Sequence, residues 1–138
     1  AAVAQTLVQQ SVALEVDLQA IGAVSCDASR LEPVLVRLLE HLRDDLLERQ
    51  ALRHEPRMGI RLRSGSTAEG TFIVLENNAG AHDPAYHAAL FEPFAVQSPA
   101  ADGLGLSLEQ DSLRRLGGTL GSDEGEAGLR LTLWLPGV

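Results

Sequence analysis

The sequence predicts an α+β fold, a two-layer α/β sandwich in which a mixed, mostly antiparallel sheet carries helices on one face. Three observations point there: a long helix with a leucine stripe, a strand pair joined by a glycine-bearing turn, and a closing segment, LRLTLWLP, that alternates cleanly.

Taken in order, residues 1–10 (AAVAQTLVQQ) read as a short helix, and Val12 to Gln19 alternate as a half-buried strand. AVSC is a second short strand running into Asp27. Ser29 and Glu32 form an S-x-x-E capping box, with Pro33 in the first turn. Leu31, Val34, Leu35, Leu38, Leu39, Leu42 and Leu46 then keep helical spacing, and this helix runs to about Leu52. MGIRLR and TFIVLE, joined by SGSTAEG, predict a hairpin. NNAGAHDP is a loop, AYHAALF a short helix and QSPAADG a second loop. A further helix extends from about Leu104 to Leu116 and stops at Gly117 and Gly118. TLGS, the turn DEGEAG and LRLTLWLP close the chain, giving the order α-β-β-α-β-β-α-α-β-β. The predicted core is Leu35, Leu38, Leu42, Phe72, Val74, Leu131 and Leu133, taken as one inward face.

With 138 residues the chain has the size of one domain, residues 1–138, and its opening in mid-helix composition suggests excision from a longer protein. Hydrophobic residues at 45% argue against disorder. No apolar run approaches the ~18 residues of a membrane span, and no basic segment marks a signal peptide. The net charge of −8 argues against a nucleic-acid surface. Cys26, the one cysteine, excludes an internal disulfide and fits a reducing compartment. These features predict a soluble, acidic, cytoplasmic domain.

On the long helix, Arg37, His41 and Asp45 fall in one row beside the leucine stripe, where a ligand between helix and sheet would be touched. VLENNAGA, Val74 to Ala81, brings a strand into an acid, two asparagines and a glycine; a strand-end carboxylate such as Glu76 can accept from an adenine amine. DGLGLS places Gly103, Leu104 and Gly105 at a helix start, where free N–H groups favour phosphate. No P-loop, C-x-x-C or H-E-x-x-H is present. His54, His82 and His87 are too scattered to argue for a metal site and read as surface residues.

In this order the pieces resemble the ATP-binding catalytic domain (HATPase_c) of sensor histidine kinases, within the GHKL or Bergerat-type ATPase superfamily. DASRLEPVLVRLLEHLRDDL looks like the N-box helix, VLENNAGA like the first glycine box and LFEPF like the F box. GLGLS looks like the second glycine box, and GGTLGSDEGEAGLRLTLWLP like the closing segment. The resemblance implies the Bergerat fold with ATP between helix and sheet, Mg²⁺ on the N box, and a mobile lid. It also implies delivery of the γ-phosphate to a histidine on a separate dimerisation domain, with a response regulator or receiver domain downstream.

Several positions depart from the family pattern. The N-box asparagines align with Arg37 and His41, which puts an imidazole at the Mg²⁺ position. The adenine-binding aspartate becomes Glu76 and the first glycine of that box becomes Asn78, while Gly80 is kept. The implied cofactor-binding set is Arg37, His41, Glu76, Asn78, Gly80, Gly103, Leu104 and Gly105, with no catalytic residue assigned; of these, Glu76, Gly80, Gly103 and Gly105 are expected to line one cleft with Arg37 and His41. Phe91 and Phe94 are expected to pack at the lid base. The topoisomerase and chaperone branches are disfavoured because Arg37 holds the place of their glutamate base. Two readings follow: a divergent kinase domain with weak nucleotide binding, or a pseudokinase-like regulatory and protein-interaction domain that no longer binds ATP.

Overall fold

Burial of the leucine stripe sets the layering. The computed structural model describes residues 12–18, 28–49, 58–92 and 105–137. These form β1 (Val12–Leu18), α1 (Ala28–Glu48), β2 (Met58–Ser66), β3 (Gly70–Asn77), α2 (Pro84–Leu90), α3 (Ser107–Arg115), β4 (Thr119–Glu124) and β5 (Leu129–Pro136). The expected helix at 1–10 and strand at AVSC lie outside the described residues.

The strands make one sheet in the order β1-β2-β3-β5-β4. β2–β3, β3–β5 and β4–β5 pair antiparallel, and β1 pairs parallel with β2. A parallel pair needs a crossover, and α1 lies in it. The sandwich read from the sequence is therefore the architecture observed.

α1 starts at Ala28, one residue before Ser29, and ends at Glu48, short of Leu52. Pro33 falls inside it, where it removes one intrahelical donor. Along α1, Val34, Leu38, Leu42 and Leu46 are buried, and Leu31, Leu35 and Leu39 pack partly buried beside them. Facing them across the core are Ile60, Ile73, Leu75, Leu131, Leu133 and Leu135 from the sheet, with Leu106 and Leu113 from α3 and its approach. α2 is capped by Asp83, whose side chain accepts from the Tyr86 N–H, with Pro84 in the first turn. At the end of α3, Gly117 adopts φ 84° and the Gly118 N–H donates to the Leu113 carbonyl at 2.8 Å, closing the helix.

One expectation about the core is corrected. Phe72 and Val74 do not share the inward face with Leu131 and Leu133, because the pairing sets Ile73 opposite Leu133 and Leu75 opposite Leu131. Phe72 and Val74 lie on the other face, opposite Trp134 and Thr132. Leu35 is half-buried rather than central. Phe91 packs partly buried against the core, while Phe94 lies outside the described residues.

Leu38 is fully buried at the middle of this layer. Leu38→Ala is expected to lower stability by ~2–5 kcal/mol in urea unfolding, from lost burial and a cavity. Leu35→Ala should lose less. Equal losses at the two positions would contradict the layering.

Candidate functional site

The polar edge of α1 is where the domain's irregular segments converge. Arg37, His41, Asp45 and Arg49 repeat every fourth residue and so form one row. Each reaches a different part of the chain. Arg37 donates to the Gly105 carbonyl at 3.4 Å and pairs with Glu109 at 3.6 Å. His41 Nε2 meets the Tyr86 hydroxyl of α2 at 2.8 Å. Asp45 accepts from the Asn77 amide at 2.9 Å and lies 2.9 Å from His82 Nε2. Arg49 donates to the carbonyls of Gly80 and Ala81 at 2.9 and 2.7 Å.

The row is buried at its centre: His41 and Asp45 are each 5% exposed. Burial lowers the His41 imidazole to about 4, helped by the Arg37 guanidinium and opposed by Asp45 and Asp44. Burial likewise pushes the Tyr86 hydroxyl far above the ordinary phenol value, with Asp45 and Glu48 adding to it. At neutral pH the His41–Tyr86 bond therefore joins two uncharged groups.

Gly105 and Gly80 both need their residue type. Gly105 has φ 57° and sits against the Leu90 carbonyl so closely that a Cβ would collide with it. The same carbonyl accepts from the Leu106 N–H at 2.8 Å. Gly80, at φ 95°, donates to the Ala127 carbonyl at 2.9 Å.

Among the candidates from sequence, Arg37, His41, Gly80 and Gly105 all meet the α1 edge. Gly105 meets it at Arg37 and Gly80 at Arg49, positions separated by ~18 Å of helical rise. Gly103 and Leu104 lie outside the described residues.

Glu76 is not brought to this edge. Its side chain lies on the opposite sheet face, paired with Arg63 at 3.1 Å. The reason is the pleat: with Ile73 and Leu75 inward, the next inward position is Asn77. Asn78 also turns away, exchanging hydrogen bonds with Gly59 of β2 through its backbone N–H (3.2 Å) and side-chain oxygen (2.9 Å). Glu76 and Asn78 instead border a separate cavity of about 180 Å³ with Glu15, Arg61 and Glu126.

Asn77 takes the strand-end place and is fully engaged. Its amide donates to the Leu42 carbonyl and Asp45, and its oxygen accepts from the N–H groups of Ala79 and Leu129. His82 and His87, read from sequence as surface residues, are ordered parts of the cluster. The His82 ring stacks on Tyr86 at 3.7 Å, and His87 bonds Glu124 and Ser122 at 2.6 and 2.9 Å. The signal for both was the Asp83-Pro84 helix start, which flanks them; His82 meets Asp45 of the α1 row, and His87 meets β4. A cleft of about 460 Å³ opens beside Arg49, Ala81, His82, Asp83 and Tyr86.

The donor set does not fit Mg²⁺. That ion needs several oxygen ligands in octahedral array, and the N-box positions offer a guanidinium and an imidazole already bonded to Tyr86. Among the described residues, no group of three His, Cys, Asp or Glu could hold a metal ion.

A mixed five-stranded sheet with helices is the α/β fold of histidine-kinase ATP-binding domains. No family model matches the chain. It is 33% identical over 117 residues to the two-component sensor PprA of Pseudomonas aeruginosa, an alignment covering 79% of this chain and 12% of PprA. The mycobacterial sensor histidine kinase MprB has the same fold at TM-score 0.72 and 18% identity, covering 99% of this chain and 91% of that one. The ATP-binding domain of PrrB from Mycobacterium tuberculosis matches at TM-score 0.67 and 20% identity, covering 99% and 90%. The chain is thus similar in fold to histidine-kinase ATP-binding domains and in sequence to a two-component sensor. No helix among the described residues is long and apolar enough to cross a membrane.

Because His41 is folded in its neutral form, the unfolded chain binds its proton first as pH falls. Stability from this group is full above about pH 6.5 and is lost as pH falls toward 4. The expected loss across that window is ~3 kcal/mol. Urea midpoints for the parent and His41→Gln between pH 7.5 and 4.5 check this. The parent should fall more steeply, and parallel curves would contradict it.

Proposed function

We propose that this chain serves as the nucleotide-binding catalytic domain of a two-component sensor, divergent at the N box, binding ATP weakly and with little dependence on Mg²⁺. In that role it works in the cytoplasm and serves a histidine on a separate dimerisation domain, with a response regulator downstream. The fold and the sequence likeness to PprA support the class. The observation that carries the divergence is the α1 row, whose Arg37, His41, Asp45 and Arg49 side chains are bonded within the chain.

Phosphoryl transfer is chiefly positioning and charge neutralisation. Arg37, beside Gly105, is the residue placed to meet a phosphate oxygen, once it exchanges Glu109 for that anion. His41 keeps Tyr86 at the middle of the row, which packs α2 against α1 rather than offering an oxygen ligand. The same closed row favours a second reading, a regulatory domain that no longer binds ATP.

Calorimetric titration with a non-hydrolysable ATP analogue, with and without Mg²⁺, separates the two. Weak binding that Mg²⁺ hardly alters is expected, and His41→Asn should strengthen Mg²⁺-dependent binding by restoring an amide oxygen. Tight, Mg²⁺-dependent binding by the parent chain would overturn the divergent reading. No binding by either form would favour the regulatory one.

A further inference from the structure

The contacts of His82 do not balance. Its Nε2 lies 3.0 Å from Asp45 Oδ2 and also 3.0 Å from Arg49 Nη1. A carboxylate can only accept and a guanidinium can only donate, so one ring nitrogen satisfies one of them at a time. Arg49 has backbone acceptors at Gly80 and Ala81, whereas Nε2 lies within 3.0 Å of both Asp45 oxygens, where a lone pair would face the carboxylate; the His82 proton is therefore assigned to Asp45. The ring itself is held as a ligand is held. It stacks on Tyr86 with planes 15° apart and gives its N–H to a carboxylate 5% exposed. It belongs to the loop between β3 and α2, and it borders the open cleft of about 460 Å³.

We propose that His82 fills, from within the chain, a binding site for a planar heterocycle carrying an amidine edge, built by Asp45, Arg49 and Tyr86. Such an edge presents an amine N–H beside a ring-nitrogen lone pair. The amine would meet Asp45, the lone pair would meet Arg49, and the ring would stack on Tyr86, satisfying both partners that Nε2 must share. Adenine has this edge. Asn77 adds a second hold on Asp45, so the carboxylate stays in place when the imidazole leaves. Asp45, on the helix, thereby supplies the base-accepting oxygen that Glu76 cannot, since Glu76 faces the other side of the sheet. The natural ligand's identity as a nucleotide rests on the reading above; the heterocycle site does not.

The test is thermal unfolding of the 138-residue chain and its His82→Gly variant in adenine, imidazole or benzene. His82→Gly should melt lower than the parent, and adenine and imidazole should raise its Tm saturably, adenine at the lower concentration. The parent should respond to neither. Asp45→Asn in the His82→Gly background should abolish the rise. If His82→Gly is unfolded in buffer, recovery of its helical circular dichroism on adding imidazole is the same result. A Tm or fold unmoved by imidazole and adenine, or raised equally by benzene, overturns the proposal. ATP is the separate arm. A larger Tm rise in His82→Gly than in the parent supports both ideas, whereas an adenine response without an ATP response keeps the site and removes the nucleotide reading.

Discussion

A carboxylate buried against the end of a sheet must be hydrogen-bonded, and much of the irregular structure here is arranged around meeting that demand at Asp45. Asn77 approaches from β3 and His82 from the following loop. Tyr86 stacks on His82 from α2 and so brings a third segment to the same point. Removing any one leaves a polar group without its partner, which ties the placement of these segments to a single helix position.

The neighbouring residues of the row extend the same logic along α1. Arg37 secures the start of α3 through Gly105 and Glu109, and Arg49 secures the loop at Gly80 and Ala81. The leucine stripe supplies burial, while the polar row beside it fixes which loop goes where. Along this edge the polar side chains are spent on the chain itself.

The layers were legible in the sequence because their patterns have a period. The stripe Val34, Leu38, Leu42, Leu46 and the alternation of LRLTLWLP each specify one face. The parity of β3 was not legible, because Phe72, Ile73, Val74 and Leu75 are all apolar and a run without alternation does not say which residues point inward. That silence passed directly into the misplacement of Glu76. The α1 row was readable as a row, since helical spacing gives it. Gly105 and Gly80 were placed beside it by the family resemblance, but Tyr86 and His82 were not, because they reach it through tertiary contacts that no local pattern encodes.

The adjacent pair Glu76-Asn77 has a consequence for the fidelity of strand pairing. Shifting β3 by one residue would exchange the faces of every side chain in it. Asn77 would leave its four partners, and Glu76 would enter the helix layer against the Leu42 carbonyl and the Asp45 carboxylate, neither of which can donate to it. The apolar run before them, being indifferent to parity, offers little resistance to such a slip. Two polar residues at the strand's end therefore hold the alignment that four hydrophobic ones leave open.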